Sequence, residues 1–151
     1  MNGLEAFIVA AKAACYVGEG NHVGPCRLGA HDLRFDDGDW RYLDSYFGGT
    51  NFIGQEVVWH NNAPVWAMNY YGYILRPDLI NAEKAGNVIK LSLGLLYEQN
   101  RFLGGFEHFV GEYLYHDNNE GQVTSFRGVE TISRQGIEAY KLEYHGGVIK
   151  D

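Results

Sequence analysis

Acidic side chains stand among aromatic ones in the segment 39–73. It reads DWRYLDSYFGGTNFIGQEVVWHNNAPVWAMNYYGY and holds ten aromatic residues, including all three tryptophans. Burying a carboxylate among apolar rings is costly unless it is paired or hydrogen-bonded. Aromatic rings can also stack a planar or cationic ligand while an acid hydrogen-bonds it. The residues expected to bind such a ligand are Trp40, Tyr42, Asp44, Tyr46, Glu56, Asn69 and Tyr71. The alternative is that tyrosine hydroxyls and arginines satisfy the acids within the fold.

Glutamate and histidine residues form a second candidate set. A carboxylate and an imidazole within hydrogen-bond reach can pass protons to and from a substrate. Glu56 or Glu107 with His108 is therefore the candidate catalytic pair of a small hydrolase or lyase. The alternative is that such pairs are structural. The next histidine, His116, lies about 26 Å further along an extended strand, so this segment predicts no metal site.

No cofactor motif accompanies these residues. The sequence has no nucleophile elbow, cysteine–zinc cluster, HExxH motif, Walker loop or nucleotide fingerprint. We therefore expect neither a metal nor another cofactor. A small molecule of unspecified identity is the expected partner.

Composition limits the class of protein. At 151 residues the chain has the size of one domain, so we expect a single domain over 1–151. The formal net charge of −7 repels phosphate and argues against direct binding to nucleic acid. No apolar run reaches about 18 residues, so no membrane partner is expected. Two cysteines, Cys15 and Cys26, favour reduced thiols in a cytoplasmic protein, and the alternative is a disulfide bridge between them.

Alternating side chains predict the strands that position the acids. A period of two in 40–47, 52–60 and 65–73, with turns between them, predicts an antiparallel three-stranded meander. A shorter strand, 31–36, leads into it through an Asp-Gly turn. The alternation places Trp40, Tyr42, Asp44 and Tyr46 on one face of the first of the three strands.

Two helices are expected to accompany the sheet. Asn2 and Glu5 have the spacing of a capping box, and helical periodicity follows to about residue 16. Asp78 can cap a second helix over about 79–98. We expect this second helix to lie across one face of the sheet.

The glycine-rich segment 18–30 predicts a long loop between the first helix and the strands. Loops of this length in compact domains are uncommon and often functional. One interpretation is a plain surface crossing. The other is a lid that holds His22, Cys26 and His31 over the site on the sheet.

The last third of the chain predicts three or four more strands, over 107–116, 122–127, 130–133 and 137–145. Because no strand–helix–strand unit recurs, the order of helix, strands, helix and strands indicates an α+β fold. We expect one antiparallel sheet of about six to seven strands, with an N-terminal helix and a second helix packed on the sheet. No internal repeat is apparent.

Several phrases of the sequence carry a resemblance to a known family: YLDSYFGG, FIGQEVVW, PVWAMNYYG, ILRPDLI, FLGGFEHFVGEY and YHGG. Together they resemble a bacterial domain family of uncharacterised function, over about Leu4 to Gly147. Members of that family occur alone or behind an N-terminal helix-turn-helix DNA-binding domain. The resemblance implies one compact domain and, by analogy, a sensing module. It brings no catalytic residues, and no DNA-binding half is expected in this sequence.

The acids on an aromatic face and the layout of the family favour a cytoplasmic domain that binds or senses a small molecule without catalysis. A small hydrolase or lyase is the first alternative. The second is a protein-interaction module, such as a phage or defence accessory, that pairs through an exposed edge strand. The sequence leaves homo-oligomerisation open.

Overall fold

Two helices lie on one face of a single sheet in the computed structural model, which describes residues 3–18 and 20–150. Helix α1 spans Leu4–Lys12 and continues as a π-helical segment, Ala13–Val17. Helix α2 spans Ala82–Glu98. The α+β class and both helices are confirmed. Asn2, the expected cap of α1, lies outside the described residues.

Helix α2 begins three residues later than predicted. Asn81 is its N-cap, and its side chain accepts a hydrogen bond from the Lys84 backbone amide at 2.8 Å. Asp78, the predicted cap, instead accepts hydrogen bonds from the Arg76 guanidinium at 2.9 and 2.7 Å. The prediction was wrong because residues 77–79 form a turn ahead of the helix.

The described residues form nine antiparallel strands in the order β1-β2-β3-β4-β5-β9-β8-β7-β6. Their bounds are His22–Val23, His31–Asp37, Trp40–Gly48, Phe52–His60, Ala63–Ile74, Phe106–Val110, Tyr113–Gln122, Ser125–Arg134 and Ile137–Val148, from β1 to β9. The expected count of six to seven strands was therefore too low.

Two features of the second half differ from the prediction. The segment 107–116 is not one strand, because Gly111 adopts a positive φ of 59° and turns the chain between β6 and β7. Residues 117–121, which separate two of the predicted strands, continue β7 and pair with β8. The two short strands predicted over 122–127 and 130–133 are parts of the longer hairpin that β7 and β8 form.

The expectation of no internal repeat was wrong, since the sheet consists of two similar halves. Strands β2–β5 and β6–β9 are four-stranded meanders, and their last strands, β5 and β9, pair along a central seam. Tyr70 lies opposite Tyr144 in that seam, and the pairing register is the same on both sides of this pair. An approximate two-fold axis through the seam therefore relates the halves.

The sequence repeats with the structure. The first half contains Asp44, Gly48, Phe52, Gly54, Glu56, Tyr70 and Gly72, and the second contains Asp117, Gly121, Phe126, Gly128, Glu130, Tyr144 and Gly146. Both halves also have a β-bulge at the same place, with Val65 of β5 and Ala139 of β9 as the extra residues, opposite Val58–Trp59 and Ile132–Ser133. The shared motif is D-x3-G-x3/4-F-x-G-x-E-x13-Y-x-G.

The two helices are equivalent in the same way, and each residue of the first lies 81 positions before its counterpart in the second. The equivalent pairs include Ile8 with Ile89, Lys12 with Leu93, and Tyr16 with Tyr97. Ile8 and Ile89 are 0% and 2% exposed, so both helices bury the same side against the sheet. The lysine of the first half consequently stands where the second half has a leucine.

Two apolar clusters fill the space between the helices and the sheet. One contains Ile8 of α1 and Trp66 of β5, and the other contains Val88 of α2 and Ile132 of β8. Leu93 packs against both clusters, so the two are in contact near the axis. Within the described part of the chain, neither helix is long and apolar enough to cross a bilayer.

Candidate functional site

A cavity of about 80 Å³, here called the inner cavity, lies between the helices and the sheet. Its walls include both members of six equivalent pairs: Lys12 and Leu93, Tyr16 and Tyr97, Asp44 and Asp117, Glu56 and Glu130, Met68 and Leu142, and Tyr70 and Tyr144. Because each half contributes one member of each of these six pairs, the inner cavity straddles the approximate two-fold axis.

A glycine allows a tyrosine to reach an aspartate two strands away. Tyr70 on β5 lies opposite Gly54 on β4, and its hydroxyl donates to Asp44 Oδ1 on β3 at 2.7 Å. A Cβ atom on Gly54 would overlap the Tyr70 hydroxyl and the end of its ring. The missing side chain therefore permits the hydrogen bond.

The second half repeats this arrangement. Tyr144 on β9 lies opposite Gly128 on β8 and donates to Asp117 Oδ1 on β7 at 2.7 Å. Asn119 donates to the other oxygen of Asp117, also at 2.7 Å. Burial raises the pKa of Asp117 above its ordinary value, although these two hydrogen bonds oppose the rise.

Asp44 is buried next to another acid. It is 4% exposed and lies opposite Glu56 in the pairing of β3 with β4. Burial chiefly, and then the charge of Glu56, raise the pKa of Asp44 to about 7, against the hydrogen bond from Tyr70 and the charge of Lys12. The Asp44 carboxyl therefore changes from its neutral to its ionised form near neutral pH.

Glu56 is paired with a lysine from the first helix. Lys12 Nζ donates to Glu56 Oε1 at 2.8 Å and lies 2.6 Å from Oε2. The two side chains are only 7% and 8% exposed. Although Oε2 is so close to the ammonium, no hydrogen bond of good geometry from the described residues reaches it. Lys12 is the one cationic side chain among the described residues that line the inner cavity.

Hydroxyl groups take the place of the ammonium in the second half. Glu130 accepts hydrogen bonds from Tyr115 at 2.6 Å and from Tyr140 at 3.1 Å. Burial raises the pKa of Glu130 to about 7, with a smaller contribution in the same direction from the charge of Asp117. Two of the four acids in the cavity therefore titrate near neutrality.

A second cavity of about 290 Å³, here called the outer cavity, adjoins the inner one. The residues that line both are Tyr16, Asp44, Phe52 and Tyr70. Gly18 and His22, from the predicted lid segment, line the outer cavity, and so does Tyr46, on whose ring His31 packs at 5.1 Å between centroids. The two cavities thus meet at Asp44.

Another part of the segment 18–30 is tied to the opposite face of the sheet. The Cys26 backbone amide donates to Asp32 Oδ2 at 2.8 Å, and Ser45 Oγ donates to Asp32 Oδ1 at 2.7 Å. Ser45 points away from Asp44, because neighbouring residues of a strand face opposite sides. The interpretation in which Cys26 lies over the site is therefore wrong.

The predicted ligand-binding residues on the inward face of the sheet differ in their surroundings. Asp44 and Glu56 line the inner cavity, and Tyr46 lines the outer cavity. Tyr42 is 1% exposed and belongs to the core. Trp40 packs beside α1, in the same apolar cluster.

Asn69 and Tyr71 lie on the other face. They pair with Gln55 and Ile53 on β4, which alternate with Glu56. Both are exposed, and Asn69 Oδ1 accepts a hydrogen bond from Gln55 Nε2 at 2.9 Å. The expectation that they share a site with the buried acids was wrong, because Tyr70 is the residue of this stretch that turns inward.

The structure does not bring the predicted acid–base pair together. His108 Nδ1 lies 3.2 Å from Ser92 Oγ, and neither His108 nor Glu107 lines the inner cavity that Glu56 borders. Glu107 is exposed and lies 3.6 Å from His116. The described residues contain no group of three or more acidic, histidine or cysteine side chains placed to hold a metal ion.

Several cavity residues lie outside the predicted site, namely Lys12, Tyr16, Asp117, Glu130 and Tyr144. The repeated motif is the signal that identifies the last three, since each matches a residue of the first half. Lys12 follows Ile8 by four positions, so helical spacing alone places it on the apolar side of α1.

The repeated motif also lies within a family match. A family model described as Domain of unknown function (DUF5680) matches residues 44–149. The chain belongs to this family. The DUF5680 match begins at Asp44 and includes both aspartate–tyrosine pairs, whereas Lys12 and Tyr16 precede it. Comparisons with curated proteins and with solved structures gave no match.

Proposed function

We propose that this DUF5680 domain binds a small organic molecule in the joined inner and outer cavities. The position of Asp44 carries the proposal, since this acid is only 4% exposed and yet lines both cavities. Ligand sites are concave, mainly apolar, and have a few convergent polar groups. A carboxyl group at the junction can orient a ligand that fills both spaces.

Preorganisation of the site supports binding. The Asp44 carboxyl is held by Tyr70 at 2.7 Å, and the ring of Tyr70 lies over Gly54. The residues that line the inner cavity come mostly from strands and helices, which keep their geometry without a ligand. Less conformational freedom is lost when such a site binds. A domain that recognises a molecule in this way can serve as a sensor.

A ligand-observed NMR screen of small organic molecules tests the proposal. Leu142 lines the inner cavity, so Leu142→Trp fills part of that space, whereas Leu142→Met conserves the volume. We expect compounds that bind the unmodified chain and the methionine variant but not the tryptophan variant. Circular dichroism checks that both variants fold. Compounds that bind the tryptophan variant equally well contradict a site in the inner cavity.

Acid–base catalysis is a second candidate, favoured by the two neighbouring carboxyl groups. The pKa of Asp44 is raised to about 7, while Glu56 opposite it is paired with Lys12. Two carboxyl groups in different surroundings can act as an acid and a base. A hydrolase or lyase of this kind would use Asp44 and Glu56 as its acid and base, in place of the predicted pairing of a glutamate with His108. Unchanged turnover of a bound substrate in an Asp44→Asn variant would refute it.

A further inference from the structure

We propose that the ligand is a small organic ammonium ion, with its nitrogen in the inner cavity and its hydrocarbon part in the outer cavity. The inference rests on the proposed function and specifies its ligand. Four carboxyl groups border the inner cavity beside a single lysine among the described residues: Asp44, Glu56, Asp117 and Glu130. A cationic ligand reduces this imbalance of charge, whereas an anionic one increases it.

Lys12 shows how the protein holds an ammonium group. Its Nζ donates to Glu56 Oε1 at 2.8 Å and lies 3.6 Å from Met68 Sδ. It also lies 5.5 Å from the centroid of the Phe102 ring. A carboxylate, a polarisable sulfur and an aromatic ring together stabilise an alkylammonium ion.

The second half has no ammonium at the equivalent position. Leu93 of α2 stands where Lys12 stands in α1, and both side chains line the inner cavity. Glu130, the counterpart of Glu56, accepts hydrogen bonds from two tyrosine hydroxyls. An ammonium ion from solution supplies the second half with the charge that Lys12 gives to the first.

A tyrosine hydroxyl without a hydrogen-bond partner among the described residues borders the same space. Tyr97 is 8% exposed and lines the inner cavity, and no described residue hydrogen-bonds its hydroxyl. Glu56 Oε2 lies 2.6 Å from Lys12 Nζ but accepts no hydrogen bond of good geometry from the described residues. A primary ammonium has three N–H donors, which suits a space with several acceptor oxygens.

The acids and some of the apolar wall residues are divided between the two cavities, and His22 and Lys90 also border the outer one. The acids other than Asp44 border the inner cavity alone. Ile74, Ala85 and Ile89 border the outer cavity and not the inner one. Phe52 lines both cavities, so its ring lies beside the junction between the three inner acids and these apolar residues of the outer cavity. This order matches a primary alkylammonium or arylalkylammonium ion.

Binding of such a cation depends on pH, because ionised carboxyl groups attract it and neutral ones do not. Asp44 and Glu130 are faced by ionisable groups from the surrounding elements: Lys12, Cys15, Tyr16, Tyr42, Tyr46, Glu56, Tyr70, Tyr97, Tyr115, Asp117, Tyr140 and Tyr144. We expect affinity to rise between about pH 6 and pH 8, by up to roughly tenfold for each carboxyl group that ionises.

The first test compares three probes of similar size on the intact chain: n-butylammonium, n-butanol and butyrate. An NMR titration follows the amide signals of residues that line the inner cavity. We expect n-butylammonium to bind at least about tenfold more tightly than the other two. Equal or tighter binding of n-butanol or butyrate overturns the cationic ligand and leaves the proposed function intact. If no compound of any charge binds in the cavity, both proposals fail.

The second test supplies the missing ammonium from within the chain. Leu93→Lys places an amine where the second half lacks one, and Leu93→Met is the matched neutral control. We expect the lysine variant to bind n-butylammonium about 10- to 100-fold more weakly than the methionine variant. Equal affinities overturn the placement of the nitrogen. If the lysine variant does not fold, the three-probe comparison on the unmodified chain still decides the ligand class.

Discussion

Tyr70 and Tyr144 lie opposite each other across the β5–β9 seam, and each donates to an aspartate two strands away in its own half, at 2.7 Å in both cases. Gly54 and Gly128, on the intervening strands, have no side chains to block the two rings. The two halves therefore present the same acid–tyrosine pair to one cavity. Each of these hydrogen bonds therefore depends on the glycine of the strand that lies between its two partners.

Gly54→Ala and Gly128→Ala are expected to destabilise the protein by about 1–3 kcal/mol each, because the added methyl group displaces a tyrosine ring and weakens its bond to aspartate. Gly86 in α2 has open space around it, so Gly86→Ala serves as the control. It should stabilise the helix by up to about 1 kcal/mol. Urea unfolding measures all three. Equal effects at the three glycines would contradict the tight fit under the tyrosines.

The raised pKa values predict an unusual dependence of stability on pH. Asp44 and Glu130 have pKa values of about 7 in the folded chain, above their ordinary values of 3.8 and 4.5. Between about pH 4 and pH 7 the folded chain therefore holds protons that the unfolded chain has lost, and the contribution of these groups to the free energy of unfolding falls as the pH rises.

An Asp44→Asn variant tests that dependence. The amide stays neutral, so the variant should be more stable than the unmodified chain at about pH 8, by on the order of 2–4 kcal/mol, and should show a flatter pH profile. Asp36→Asn is the control, because hydrogen bonds from Arg34 chiefly lower the pKa of Asp36 and the dependence has the opposite sign. Identical profiles of the unmodified chain and Asp44→Asn, measured by urea unfolding, would contradict a raised pKa.

Removing the buried ammonium should be costly. Lys12→Met leaves Glu56 without its cation, and breaking a buried ion pair in this way typically costs about 3–5 kcal/mol. Glu56→Gln in the same chain should restore part of that loss, since the buried charge is then absent. A thermodynamic cycle of the two single variants and the double variant measures the coupling. Strictly additive effects would show that the two groups do not interact.

The cap of α2 can be verified by two alanine variants. Asn81→Ala removes the side chain that accepts from the Lys84 amide, and loss of such a cap costs about 1 kcal/mol. Asp78→Ala removes only an exposed ion pair with Arg76, so its effect should be smaller than that of Asn81→Ala. Chemical unfolding of both variants gives the comparison. A larger effect at Asp78 would assign the helix start to that residue.

Strand alternation predicts most of the first meander, because each of its strands has one buried face. Alternation also separates Tyr70 from Asn69 and Tyr71. It cannot say which face of β5 adjoins Asp44 on β3, since that depends on the register of the intervening strand, and a shift by one residue reverses every side chain. The predicted site therefore combined residues from both faces of the sheet.

The second half was harder to predict because some residues of types typical of turns lie within its strands. The sequence DNNEG over 117–121 has the composition of a loop, yet it pairs with β8 throughout. Pairing with a neighbouring strand outweighs weak local preference. The repeat that marks Asp117 and Glu130 recurs at only a few positions, with 13 variable residues between its glutamate and its tyrosine. The pairing of β5 with β9, which places Tyr70 opposite Tyr144, shows that the two copies of the motif occupy equivalent positions.

The β5–β9 seam also determines how the chain must fold. Most other strand pairs join neighbours in sequence through short turns, whereas the seam joins Trp66 to Val148 and Ile74 to Tyr140, residues 82 and 66 positions apart. Contacts at such separations are slow to form, because a long loop must close before they stabilise anything. Each meander can form locally, but the inner cavity exists only after the seam has closed. On the proposed function, a ligand bound there would slow the unfolding of the two halves together, as a single kinetic unit.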